Sequence, residues 1–165
     1  MVSSLLVLSK FLYLASATLT IGHLLLLLFF LRNEAGALKE EYLYLRNRIS
    51  RFAFIWSIST TVFILATLAS ILDLPISSAF DLTMLRSFLT QISLGKSLAL
   101  QTIGALVVAI WSSRVRKVSY GVLILALSLF SISIPVFQSH SASGGSHLIA
   151  IGTLLIHVIA ITLWI

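Results

Sequence analysis

Apolar residues in this chain come in long unbroken runs, and the polar residues gather between them. Five runs approach spanning length: Phe11 to Leu31, Phe52 to about Leu74, Lys96 to Trp111, Tyr120 to about Val136, and His147 to Ile165. A helix of roughly 20 apolar residues crosses a bilayer, so each run predicts a spanning helix. Between the second and third lies a different pattern. From Phe80 to Ser93, Leu82, Leu85, Phe88, Leu89 and Ile92 recur at helical spacing, with Asp81, Ser87, Thr90 and Gln91 off that stripe. This segment is too polar to span and predicts an amphipathic helix at the membrane surface. The expected fold class is therefore all-α, a polytopic membrane helical bundle of about five transmembrane helices plus one interfacial amphipathic helix.

Composition agrees with the pattern. Of 165 residues, 59% are hydrophobic and 10% charged, and the mean hydropathy is +1.10. A water-soluble domain built this way would have too little polar surface to face water. The start of the chain is not an export signal, because no basic region precedes its apolar stretch, Lys10 interrupts it, and the run beyond continues for twenty-one residues. In the second span, Ser57, Ser59, Thr60, Thr61 and Thr67 form a polar streak expected to face other helices. The third run is the shortest: sixteen residues give about 24 Å of helix, so crossing needs its flanks and a snorkelling Lys96. Gln101 and Ser128 are expected to donate hydrogen bonds between helices.

Charge then sets an orientation. The net charge of +6 does not mark a nucleic-acid binder, because the basic residues sit in short links. The first link carries Arg32, Lys39, Arg46, Arg48 and Arg51, and the third carries Arg114, Arg116 and Lys117. The second has Arg86 with Lys96 at its edge, and the fourth has none. Positive-inside bias predicts a multi-pass membrane protein with the basic links cytoplasmic and the N-terminus outside. The segment between the fourth and fifth spans is then outside too. Trp56, Trp111 and Trp164 would all fall at cytoplasmic helix ends, as an interfacial tryptophan belt would.

That outer segment holds the candidate chemistry. In QSHSASGGSHLIAIGTLLIHVIAITLW, three of the four histidines lie within eighteen residues. There is no cysteine, which excludes disulfides and thiolate metal sites. Imidazole is a common metal ligand, and the flexible SASGGS link allows His140 and His147 to converge on one ion. Met84 and Asp81, one turn apart on the amphipathic helix, are weaker candidates for a third ligand. His157 cannot join them: it lies about 15 Å further along one helix, whereas a ligand nitrogen must come within about 2 Å of a metal. It would be a separate buried station. Each residue also has a plainer reading. Loop histidines are often merely solvated, His157 can be a neutral ring bonded to a neighbouring Ser or Thr, and Met84 and Asp81 can be an interfacial contact and a helix-start carboxylate.

The segment SHSASGGSHLIAIGTLLIHVIAITLW resembles the histidine-bearing helix region of the bacterial copper resistance D (CopD) family. SILDLPISSAFDLTMLRSFLTQISLGKSLALQ is similar to the linker and third-helix entry of actinobacterial members. The resemblance covers about residues 5 to 165, and by position His140, His147, His157 and Trp164 match family residues. His23 does not match, since relatives usually carry a small residue there. The resemblance implies a membrane domain, here spanning 1–165 as the N-terminal part of a longer protein. Its implied role is to take copper inward or hand it to a client, in relatives often fused to a CtaG-like cytochrome oxidase assembly domain. Implied partners are the lipid bilayer, the copper ion, a periplasmic or extracellular copper chaperone and cytochrome oxidase assembly components, with no nucleic acid.

Two other classes stay open. Counted from the midpoints of their spans, His23 and His157 sit at nearly equal depth, the geometry for a b-type haem held between two helices of an electron carrier. A scaffold that anchors an assembly partner without touching metal is the other. No enzyme is expected, because there is no nucleophile with a base at useful spacing, no phosphate loop and no carboxylate pair inside the membrane.

Overall fold

The computed structural model describes residues 2–31 and 36–139, together with Ile156 and Ala160. Apart from those two residues the expected fifth span lies outside the described residues, and so do His140, His147, His157 and Trp164. Within them the chain is an all-α bundle. Four helical stretches are long and apolar enough to cross a membrane: Val2–Phe30, Glu40–Leu72, Ser93–Ser112 and Val118–Pro135.

The first stretch is α1 (Val2–Leu25) followed by a π-helical turn, Leu26–Phe30. It begins well before Phe11, because nothing in VSSLLVLSK breaks a helix. Its hydroxyls cost little in an apolar setting, since each bonds a carbonyl of its own helix: Ser16 donates to Leu12 O, Thr18 to Leu14 O and Thr20 to Ser16 O. The second helix, α2 (Leu43–Leu72), starts nine residues before Phe52 and takes Arg46, Arg48 and Arg51 into its first turns. Leu and Arg are good helix formers, no Gly or Pro intervenes, and Leu45 and Ile49 are buried against the bundle. Asp73 ends α2 in the left-handed conformation (φ 52°), Leu74 N donates back to Ala69 O, and Pro75 follows. The helices α1 and α2 run antiparallel, with Tyr13 on Phe63 (ring centroids 5.3 Å apart) near one end and His23 on Phe52 (5.1 Å) near the other.

The amphipathic segment forms α3 (Leu82–Gln91) after a 3-10 turn at Ile76–Phe80. Phe88 is buried and Leu85 and Leu89 half-buried, while Leu82 remains 80% exposed, so only part of the apolar stripe packs on the bundle. Ile92 takes extended backbone and separates α3 from α4 (Ser93–Ser112). Gly95 permits that corner: a Cβ there would stand 2.1 Å from the Phe88 carbonyl oxygen. At twenty residues, about 30 Å, α4 reaches spanning length by taking in Ser93 to Gly95 and Ser112, the flanks that the sixteen-residue run was expected to need. The last described helix is α5 (Val118–Ser139), with Pro135 inside it.

One end of the bundle gathers the two basic links. Ala37 and Lys117 form an antiparallel bridge, Leu38 N donates to Arg116 O (2.9 Å), and Val118 N donates to Gly36 O (3.0 Å). Arg46 ties the same place, its Nη1 donating to Val115 O at 2.8 Å. The links carrying Lys39, Arg114, Arg116 and Lys117 therefore share one face, as alternating spans require, and α3 lies at the opposite end. The tryptophans divide. Trp111, at the end of α4, is 60% exposed and fits an interface, but Trp56 is 0% exposed and thirteen residues inside α2. Trp56 is thus a core residue and not part of a belt; the earlier start of α2 moves it toward mid-helix.

Candidate functional site

Of the six residues expected to handle metal, three are described. Asp81 is the N-cap of α3: its Oδ1 accepts from Thr83 N at 2.8 Å and Met84 N at 3.2 Å, satisfying two of the amides that a helix start leaves unpaired. The carboxylate is exposed and half occupied by that work. Met84, one turn on, borders a cleft of about 340 Å³ between α2 and α3, with Leu68, Leu72, Phe88 and Ile92 on its apolar walls and Thr83 and Ser87 adding hydroxyls. Met84 is 41% exposed, so its thioether is accessible at the end of the bundle away from the basic links. Asp81 and Met84 are thus adjacent, on the face where the chain leads into α4.

His23 stands apart from them, near the basic end of α1. Its Nδ1 lies 2.8 Å from Leu19 O, and a carbonyl only accepts, so Nδ1 carries a hydrogen and donates it. The ring is half-buried against Phe52. Because the helical stretch runs from Val2 to Phe30, its middle is Ser16, and His23 sits seven residues, about 10 Å, toward the basic end. Among the described residues no three His, Asp or Glu side chains come together as a metal-binding group.

Sequence reasoning missed the polar interior. The streak on α2 does face other helices at Ser57, Ser59, Thr60 and Thr67, all buried, while Thr61 is exposed and bonds Ser57 O. Ser57 Oγ reaches across to Thr102 O on α4 (3.4 Å), and Ser50 Oγ to Ala109 O (2.6 Å). The two residues expected to donate between helices do not do so among the described residues. Ser128 bonds Ile124 O in its own helix, and Gln101, 0% exposed, has no partner for either amide atom among the described residues. Trp56 Nε1 and Ser131 Oγ are likewise buried and unpartnered. Gln101 in the middle of an otherwise apolar run was the one visible signal; Trp56 and Ser131 are common residue types in spans and carried none.

The bundle, its amphipathic corner and its shared basic end define a multi-pass membrane domain. Residues 1–148 match the family model described as copper resistance protein D-like, N-terminal domain. The chain belongs to that family, which makes it a copper-related membrane protein. The match takes in His140 and His147 and stops short of His157 and Trp164. No curated protein and no solved structure matches the chain.

Proposed function

We propose that this protein handles copper as its cargo, collecting the ion at the outer membrane face and moving it inward or passing it to a client, without acting as an enzyme. The observation that carries the reading is the family match over residues 1–148. His140 and His147, joined by the SASGGS link, are the capture ligands, since imidazole is the one strong copper donor available to a chain without cysteine. Met84 and Asp81 sit on a helix that the alternation of spans places at the same end as the histidine segment, and the exposed thioether of Met84 supplies a soft third contact. His157 is the deeper station. Charge on the links supports the basic end as cytoplasmic. A copper chaperone on the outer side and cytochrome oxidase assembly components are the partners this role needs.

The test is copper bound per protein, measured by elemental analysis after detergent purification, for the native chain and for H140A, H147A and H157A. The reading expects loss of bound copper in the first two with a deeper site retained, and a smaller loss in H157A. Native binding in all three variants would overturn it. A purified native protein with a Soret band that shifts on dithionite would replace it with the haem reading of His23 and His157.

A further inference from the structure

Three buried polar side chains on three helices lie at about one depth, and none of them has a partner among the described residues. Trp56 is the chain neighbour of Ser57, whose hydroxyl reaches Thr102 O; Thr102 is the chain neighbour of Gln101. Ser131 abuts Gly104, three residues on from Gln101 and so on the same face of α4. The contact is close: a Cβ on Gly104 would stand 2.1 Å from Ser131 Oγ. Trp56 and Gln101 are 0% exposed and Ser131 is 1% exposed. Trp56 Nε1, Gln101 Oε1 and Nε2, and Ser131 Oγ all lack a hydrogen-bond partner among the described residues. α4 runs from Ser93 to Ser112, so Gln101 is at its middle.

Other buried hydroxyls in the bundle behave differently. Ser16, Thr20, Thr60, Thr67, Ser97 and Ser128 each bond a carbonyl of their own helix. Ser131 has the same option one turn back and does not use it. Lipid offers such groups no partner, so a layer of them at half depth, unpaired among the described residues, favours a polar occupant.

We propose that this layer is an internal hydration site, in which buried water bridges the Trp56 indole N–H, the Gln101 amide and the Ser131 hydroxyl. The donor set selects water. An indole N–H can only donate, a carboxamide offers one acceptor and two hydrogens, and a hydroxyl does both, which matches the two to four bonds a buried water makes. The same set is poor for a soft cation, having neither imidazole nor sulfur. The site therefore stands independently of the copper reading. It gives the bundle a polar waist where four apolar helices would otherwise pack dry.

The chain has three tryptophans, so W111F/W164F leaves Trp56 as the sole tryptophan, which emission excited beyond the tyrosine absorption band reports apart from the tyrosines. In that background, full-length protein in detergent is examined by ultraviolet resonance Raman for indole N–H bonding and by fluorescence emission. Q101L and S131A are then compared, with circular dichroism and gel filtration confirming the fold. Shared water predicts a hydrogen-bonded Trp56 whose Raman signature weakens and whose emission moves to the blue in both variants. A shift in Q101L alone would mean a direct Gln101–Trp56 bond, and a shift in neither would mean a dry layer; each overturns the proposal. S131A removes one oxygen and leaves helix propensity intact, so it keeps the test open if Q101L fails to fold.

Discussion

Gly104→Ala is expected to loosen the seam between α4 and α5. The added Cβ would lie 2.1 Å from Ser131 Oγ and 3.0 Å from Ser131 Cβ. The hydroxyl can escape by turning to the carbonyl one turn back, but the Cβ is fixed by its backbone, so the helices must separate by a few tenths of an ångström. Overpacking of this kind costs about 1–3 kcal/mol, and with the hydroxyl free to rotate we place G104A at about 1–2 kcal/mol. Ser131→Gly removes the obstacle and alone costs roughly 0.5 kcal/mol of helix propensity. The two should not add. In the double variant the clash is gone, so the interaction energy should be about 1 kcal/mol or more in favour of the pair. Reversible unfolding in mixed detergent micelles measures all four corners of the cycle. A G104A protein as stable as the native one, or a strictly additive cycle, would refute the close approach of these helices.

Asp81→Ala should cost about 1 kcal/mol by uncapping α3, and Asp81→Asn should recover most of it, read in the same unfolding assay. Copper binding that falls equally in both would instead make the carboxylate a ligand. Arg46→Ala removes the bond to Val115 O and should cost about 1.5 kcal/mol, the low end for a charged donor because the side chain is only half-buried. Backbone exchange at Leu38 and Val118 should quicken with it, since those amides close the same link. A chain without cysteine also allows clean accessibility mapping. Cysteines placed at Asn47 and Ser119 should label from the same side of an intact membrane and one at Thr90 from the other; labelling of all three from one side would contradict the bundle.

Much of this fold is legible because hydrophobic runs report helices directly. The amphipathic register from Leu82 to Ile92 and the capping role open to Asp81 are both visible in residue types alone. Helix ends are less so. The pattern places the second span at Phe52 because Arg46, Arg48 and Arg51 look like a link, yet a helix continues through charged residues that reach water while Leu45 and Ile49 pack inward. That extension is what turns Trp56 from an interface residue into a core one. The third span starts earlier for a related reason: Ser93 and Gly95 look like connection, but α4 takes them in, with Gly95 buried in the corner against α3. The polar layer at Trp56, Gln101 and Ser131 depends on which faces meet, and a single chain's periodicity does not contain that information.

The most direct test of the copper role is transport in a defined system. The purified protein is reconstituted into liposomes carrying an internal copper-sensitive dye, and copper is supplied from the side of the histidine segment. The account predicts dye response well above protein-free liposomes, lost in H140A/H147A and slowed in H157A. A rate equal to empty liposomes, with protein inserted and folded, would contradict transport; a native rate in the histidine variants would contradict the assigned ligands.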